Sequence, residues 1–454
     1  MTVELPVTES VCPDCLQRIS ARLVTENETV YLEKECPEHG RFKVVVWRGK
    51  PLFSEWFRPK LRYTGGVREE IRKGCPYDCG LCARHDQRTC SALVEITPRC
   101  NLHCPVCFAD SGSAENEPDL DTLKKMFDAI MERTGGCNLQ LSGGEPTVRD
   151  DLDNIVAAAR AAGFSFIQVN SNGIRFAEDP SYGKLLEDAG LSTVFLQFDG
   201  IDDQVSTIIR GRPLFTVKSR AIEHLTMTGV GVVLVPTLVP KINTGQLWDI
   251  VQFGIERLPG VRGVHFQPIS YFGRFPKHFI PEHVTLPEVI YALVTQSDGA
   301  VRMEDFQPPG CEHALCSFSA RYLIAEDGTL QFLGKPQCRS APEPAEQGAL
   351  RSIAVTARQW RGPGTSCKQT THGADDDLSR FLRRARTHTF SISGMAFQDC
   401  WSMNLERLQG CCIHVAQPDG RLIPFCSFNL TSRNGVPLHR GRQAVVALTE
   451  NSVR

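Results

Sequence analysis

Three cysteines, Cys100, Cys104 and Cys107, stand in a Cys-x3-Cys-x2-Cys run. Thiolates this close together suit a soft metal, and iron–sulfur clusters are held by cysteines at such spacings. Three ligands on a four-iron cube leave one iron open to a ligand the protein does not supply. Zinc sites, by contrast, usually close with four protein ligands. Further along, Ser142-Gly143-Gly144-Glu145-Pro146 offers two residues without Cβ, where backbone can approach a ligand closely. Its Glu145 could accept a charge-assisted hydrogen bond from a ligand ammonium.

The other cysteines are grouped as well. There are 19 in all, an odd number, clustered at short spacings. This argues for metal sites in a reducing cytoplasm rather than for disulfides. Cys12 and Cys15, with Cys36 and His39, form two knuckles of one tetrahedral site, for which zinc and mononuclear iron are both open. With so little apolar content around it, that metal would supply much of the module's folding free energy. A second Cys-x3-Cys-x2-Cys run holds Cys75, Cys79 and Cys82, with His85 or Cys90 as fourth ligand. Cys90 is preferred, and zinc on the same four is the alternative. A third set, Cys311, Cys316, Cys412 and Cys426, is expected to gather in the C-terminal part, with Cys338 or Cys411 as substitutes. Cys137, Cys367 and Cys400 read as ordinary buried cysteines.

These residues need elements to hold them. Leu93–Ile96 reads as a strand that Pro98 ends, so the first triple lies on the loop at a strand's C-terminal end. Ligands bind at that end of α/β sheets and barrels. From there strands and helices alternate: a helix over 119–133, a strand at 138–141, a helix at 152–162, then further pairs to a strand at 264–268. Six strand–helix units favour a parallel, partial (β/α)6 barrel in an α/β protein. The divisions read as a small metal-binding module (1–60), an auxiliary-cluster segment (61–91), the core (92–270) and a C-terminal domain (271–454). The stretch 340–376, punctuated by Pro and Gly, reads as an inserted loop.

Bulk properties exclude little but are consistent. The chain has 454 residues and a net charge of −2, which gives no argument for a nucleic-acid partner. No run of about twenty apolar residues signals a membrane span, and the first residues lack a signal-peptide layout. A cytoplasmic location follows as the expectation.

The Cys100–Cys107 run followed by Phe108, together with the Gly-Gly-Glu-Pro loop, resembles the radical S-adenosylmethionine (radical SAM) enzymes. The resemblance implies a [4Fe-4S] cluster on Cys100, Cys104 and Cys107 that binds SAM and cleaves it reductively. The product is a 5′-deoxyadenosyl radical, which abstracts hydrogen from unactivated C–H bonds. It places Gly143, Gly144, Glu145 and Pro146 at the SAM amino group. Asn170, Ser171 and Asn172 fall at the ribose and carboxylate, Asp199 at ribose or substrate, Arg210 near the SAM carboxylate, and Gln267 facing the substrate. The order of the cysteine groups, with Ile413-His-Val-Ala-Gln-Pro-Asp-Gly near the C-terminus, is similar to the tetraether lipid synthase group, whose members were also described as pterin methylases. That similarity implies two auxiliary [4Fe-4S] clusters, a rubredoxin-like mononuclear iron or zinc, and a ferredoxin- or flavodoxin-type electron donor. It also implies sp3 carbon–carbon coupling of lipid chains, which would bring peripheral membrane contact. The alternatives are radical methylation of a pterin or other small heterocycle, and a non-catalytic iron–sulfur electron carrier. The Gly-Gly-Glu loop argues against the carrier, which has no use for a SAM amino-group site.

Overall fold

The computed structural model describes residues 3–58, 61–63, 65–66, 69–78, 80–112, 117–276, 282–334, 344–363 and 377–440. Cys79, Cys338 and Cys367 lie outside the described residues. Val3–Val11 (β1), Arg18–Glu26 (β2), Thr29–Cys36 (β3) and Gly40–Arg48 (β4) form an antiparallel meander in that order. Asn27 turns the β2–β3 hairpin with a φ of 55°, a conformation Asn tolerates well. Both β2 and β3 alternate exposed and buried side chains, the signature of a sheet with one wet face.

The second sheet is built from Ser91–Thr97 (β5), Asn138–Gly143 (β6), Ile167–Ser171 (β7), Thr193–Gln197 (β8), Gly231–Val235 (β9), Thr237–Leu238 (β10), Val261–Pro268 (β11), Ser317–Ile324 (β12), Leu330–Phe332 (β13), Thr389–Met395 (β14), Ile413–Ala416 (β15) and Leu422–Pro424 (β16). Its order is β13-β12-β14-β11-β9-β8-β7-β6-β5-β15-β16, with β10 beside β11. The six strands β5, β6, β7, β8, β9 and β11 are parallel and adjacent in sequence order, the arrangement of a partial (β/α)6 barrel. Parallel strands buried on both faces read as continuous apolar runs, and every residue of β9 is buried. The connecting helices cover the outside. Helix Leu120–Thr134, for example, buries Leu123, Met126, Phe127 and Ile130, the spacing of one helical face. Asp119 caps its start by accepting from Thr122 N at 2.8 Å.

Two features depart from the sequence expectation. First, the parallel sheet is wider than six strands, because β14 joins β11 and β15 joins β5, both in parallel. These strands come from the C-terminal segment, which shares the sheet with the core. Second, much of the stretch expected as an inserted loop is a helix, Ala345–Trp360. Of the breakers there, Pro342, Pro344, Gly362 and Pro363 flank that span and Gly348 falls inside it. The helix crosses the N-terminal ends of the strands. Its Ile353 carbonyl accepts from Asn138 Nδ2 at 3.3 Å, and Arg262 Nε donates to the Gln359 carbonyl at 3.2 Å. A Cβ at Gly231 would strike the Trp360 carbonyl, so glycine lets helix and strand meet there.

The meander docks on the C-terminal segment. Thr8 Oγ1 donates to Asn404 Oδ1 at 3.1 Å. The buried Lys34 ammonium donates to Val11 O at 2.9 Å and to Cys400 O at 2.8 Å. Among the described residues, no helix is long and apolar enough to cross a membrane.

Candidate active site and metal centres

The loop leaving β5 carries Cys100, Cys104 and Cys107, and all three line a cavity of about 630 Å³ inside the barrel. Leu102 N donates to Cys100 Sγ at 3.4 Å. A two-way backbone bridge between Cys107 and Arg274, at 2.9 and 3.0 Å, pins the loop's far end. Burial pushes the Cys100 thiol up to about 11 and raises Cys104, with the Arg210 guanidinium beside Cys104 working the other way. Burial also opposes the Cys107 thiolate, but bonds from the Ser111 hydroxyl and backbone N–H groups outweigh it and hold that thiol below its usual range. Three soft sulfurs on one loop, facing a cavity, are a donor set that suits an iron–sulfur cluster.

The Gly-Gly-Glu-Pro loop leaves β6 and is bonded directly to the cysteine loop. Gly144 N donates to Thr97 O at 2.7 Å and Glu145 N to Arg99 O at 2.8 Å. A Cβ on Gly143, whose φ is 126°, would strike the Thr97 carbonyl, and one on Gly144 would strike that of Arg99. The glycines therefore let two loops of the protein pack together, and both also line the cavity where approach to a ligand is expected. Glu145, which also lines the cavity, is bonded within the protein as well. Its carboxylate accepts from Thr147 N at 3.2 Å, Thr147 Oγ1 at 2.7 Å, Ser171 Oγ at 2.8 Å and Asn172 N at 2.6 Å. Three of those donors meet Oε1 and one meets Oε2, so the carboxylate braces the β6 and β7 loops while Oε2 keeps room for a further donor. Pro146 opens the 3-10 turn Pro146–Val148 behind it. Asn170, Ser171 and Asn172 line the cavity, and Asn172 Nδ2 reaches Asn101 in the cysteine loop at 2.6 Å.

Asp199 is absent from the cavity wall, although contact with ribose or substrate was expected there. It forms a buried, two-pronged ion pair with Arg210, Nε and Nη2 each donating at 2.7 Å, and also accepts from Thr237 N at 3.0 Å. Burial alone would raise the Asp199 carboxyl, but the Arg210 charge holds it below its usual range. Arg210 does line the cavity, beside Cys104. Asp199 thus acts on the site through Arg210.

Sequence reasoning passed over several residues here. Lys218 is buried, donates to the Asn172 carbonyl and meets Gln197 Oε1 at 3.3 Å. Burial lowers its ammonium to about 8. A lysine on an amphipathic helix reads as solvated, so nothing in the pattern marked it. The barrel interior is also belted by amides. Gln140, Gln168, Asn170, Gln197 and Gln267, from four strands, all face the cavity. Beside them Phe195 and Trp360 have ring centroids 4.8 Å apart. His265 sits 5.6 Å from Phe195 and bonds Ser393 Oγ through Nδ1 at 2.9 Å. Burial lowers His265 to about 4, so it is neutral at pH 7.

Three further donor sets are present. Ligand atoms of Cys12, Cys15, Cys36 and His39 lie within 4.8 Å of one another, and His39 Nδ1 sits 3.6 Å from Cys12 Sγ and 3.4 Å from Cys36 Sγ. The bond to His39 lowers the Cys36 thiol to about 7, whereas burial raises Cys12 to about 11. The second set regroups the expected ligands: Cys90, Cys311 and Cys412 come within 4.8 Å. Cys90 had been assigned to Cys75, Cys79 and Cys82, and Cys412 to Cys316 and Cys426. The cause is strand pairing. Cys90 precedes β5 and Cys412 precedes β15, these strands are neighbours, and Cys90 N donates to Cys412 O at 2.8 Å. The Cys90 and Cys311 sulfurs are joined, yet their Cα atoms are 7.7 Å apart, beyond the usual span of a disulfide. With the third thiol alongside, the set reads as a metal centre. The remaining set is Cys316, Cys411 and Cys426: burial raises the Cys411 and Cys426 thiols, and their nearness to one another and to Cys316 adds to it, with Arg407 Nε 3.1 Å from Cys316 Sγ. Cys411 thus takes the place assigned to Cys412. Cys75 and Cys82 remain neighbours. His85, considered as their fourth ligand, instead faces His414 at 3.2 Å and the Cys411 carbonyl at 2.8 Å.

The chain was compared with known proteins. The family model of the Radical SAM superfamily matches residues 94–254, and that of the HMPTM N-terminal zinc ribbon domain matches residues 5–48. The chain is 32% identical, over 481 residues and 94% of each chain, to a Methanocaldococcus jannaschii protein named 7,8-dihydro-6-hydroxymethylpterin dimethyltransferase. A probable GTP 3′,8-cyclase of Methanothermobacter thermautotrophicus is 27% identical over 176 residues, 38% of this chain and 56% of that one. The solved structure of Streptococcus suis SuiB aligns with a TM-score of 0.38 at 16% identity, over 47% of this chain and 46% of that one, a likeness too slight to carry an argument.

Proposed function

Because this chain belongs to the radical SAM superfamily, and within it to the family of the Methanocaldococcus jannaschii relative, we propose that it adds a one-carbon unit to a flat, hydrogen-bonding heterocycle of the reduced-pterin type. It is a radical SAM enzyme, and the superfamily implies a [4Fe-4S] cluster and SAM. When bound, these supply a radical able to take hydrogen from an unactivated C–H bond. In this reading Cys100, Cys104 and Cys107 hold the cluster. The Gly143–Pro146 loop, braced by the Glu145 carboxylate, shapes the SAM site. Arg210, held by Asp199, sets a fixed positive charge beside Cys104. Asn170, Ser171 and Asn172 line the way to the substrate, and the barrel walls keep water from the reacting centre. Cys90 with Cys311 and Cys412, Cys316 with Cys411 and Cys426, and Cys75 with Cys79 and Cys82 supply ligands for auxiliary centres. Cys12, Cys15, Cys36 and His39 hold one zinc or iron, and a ferredoxin- or flavodoxin-type protein supplies electrons.

The single observation that carries the heterocycle is the amide belt. Gln140, Gln168, Asn170, Gln197 and Gln267 ring the cavity, and those of their polar atoms that have no protein partner would be left unpaired against an alkyl chain, at about 1–3 kcal/mol each. A second reading, coupling of lipid chains, is favoured by the cavity's reach from Cys104 at one end of the barrel to Ile353 and Trp360 at the other.

The test is anaerobic reconstitution with SAM and reductant, offering 7,8-dihydro-6-hydroxymethylpterin or a diether lipid. The heterocycle reading expects pterin-dependent 5′-deoxyadenosine and a mass gain on the pterin. Coupled lipid alone would overturn it in favour of the second reading.

A further inference from the structure

We propose that Gln140 and Gln168 form a paired-acceptor subsite that reads an N–H/NH2 donor edge of the substrate, such as that of a 2-amino-4-oxopyrimidine ring, and that Asn170 sets their orientation. This inference rests on the heterocycle reading above and goes beyond it by naming the recognising atoms.

An amide side chain has one acceptor oxygen and one NH2 donor group, so its orientation decides what it can bind. Asn170 Oδ1 accepts from Gln140 Nε2 at 2.7 Å and from Gln168 Nε2 at 3.1 Å. Its own Nδ2 donates to Ser142 Oγ at 3.3 Å. One oxygen therefore collects both glutamine NH2 groups, which turns both Oε1 atoms away from Asn170. Gln140 and Gln168 are cross-strand partners on β6 and β7, and neighbouring strands stand about 4.8 Å apart. Two carbonyls are thus held side by side on a wall of the cavity. Among the described residues no donor meets either Oε1. A pair of acceptors calls for a pair of adjacent donors, which an aminopyrimidinone edge offers and an alkyl chain does not.

A complementary donor is fixed independently. The Lys218 ammonium can only donate, and it meets Gln197 Oε1 at 3.3 Å. That turns the Gln197 NH2 group toward the cavity, where it can serve a ring carbonyl. The two orientations together describe a wall that accepts at β6 and β7 and donates at β8. Phe195 and Trp360 offer aromatic faces to the ring.

The experiment uses the cluster-loaded holoenzyme, kept anaerobic and without reductant. Dissociation constants are measured by pterin fluorescence for 7,8-dihydro-6-hydroxymethylpterin and for its analogue lacking the 2-amino group. Wild type is expected to prefer the pterin by about a hundredfold, given what one unpaired buried acceptor forfeits. Gln140→Met and Gln168→Met, matched in length but without the carbonyl, should each weaken pterin binding about tenfold and shrink that preference. Asn170→Ala, which frees both glutamines to rotate, should shrink the preference as well. Equal wild-type affinity for pterin and analogue would overturn the inference while leaving the heterocycle reading intact, and this measurement needs no variant to fold. Binding of neither compound by wild type would sink the heterocycle reading, and the inference with it.

Discussion

Removing the guanidinium of Arg210 should be far more damaging than removing both members of its ion pair. The Asp199 and Arg210 side chains are 1% and 7% exposed, and they are joined by two charge-assisted bonds of 2.7 Å. Arg210→Leu leaves a buried carboxylate with the Thr237 N–H and only the weaker pull of the Lys218 ammonium as counter-charge. Truncating one partner of such a pair costs about 3–5 kcal/mol. Replacing both, in Asp199→Leu/Arg210→Leu, is expected to recover most of that, because the uncompensated charge is gone. The pH dependence supplies a signature. In the wild type Asp199 is held below its usual range, so its contribution is present above the unfolded carboxyl pKa and is lost as pH falls through the folded one. In Arg210→Leu burial, opposed only by the Thr237 N–H and the Lys218 ammonium, favours the protonated form. The variant should therefore regain stability as pH falls from 8 to 5, opposite in slope to the pair's contribution in the wild type. Urea unfolding at matched metal content, followed by tryptophan fluorescence across that range, reads both effects. A single variant as stable as the double one, or a deficit that does not shrink on acidification, would refute the reasoning.

Two other outcomes follow from the same geometry. Cys36→Ser should lower the bound metal by about one ion per chain and open β1–β4 to limited proteolysis, since a metal site of this kind supplies folding energy to a small module. Unchanged metal content would exclude Cys36 as a ligand. His265, buried and lowered to about 4, binds its proton more weakly folded than unfolded. Its contribution is therefore present above about pH 6.5 and lost as pH falls toward 4, a swing of about 3 kcal/mol. Acid-unfolding curves of His265→Gln should lack that component, and curves superimposable on wild type would contradict it.

What could be read in the sequence was local. The cysteine loop, the Gly-Gly-Glu-Pro loop and the four-ligand knuckle are fixed by covalent spacing, so residue types alone marked them. The alternation from β5 to β11 was legible because each buried strand and amphipathic helix carries its own periodicity. The errors concern contacts made across the chain. Cys90 pairs with Cys311 and Cys412 because β15 lies beside β5, a neighbour relation with no trace in either segment. Asp199 seemed a ligand because it ends a barrel strand, and only the approach of Arg210 shows where its charge is spent. Gly143 and Gly144 read as sites of close approach to a ligand, and their packing on the cysteine loop left no mark in the sequence. Helix Ala345–Trp360 was hidden by the Pro and Gly residues that bound it. Of the amide belt, Asn170 and Gln267 were legible at strand ends, whereas Gln140, Gln168 and Gln197 were not, being scattered over three strands.

The central claim is that Cys100, Cys104 and Cys107 hold a cluster that opens SAM to reduction. The most direct measurement is 5′-deoxyadenosine formed from SAM by the anaerobically reconstituted, reduced protein, in wild type and in Cys104→Ala. Formation is expected in the wild type and its loss in the variant, together with a drop in bound iron. Undiminished 5′-deoxyadenosine from Cys104→Ala would contradict it.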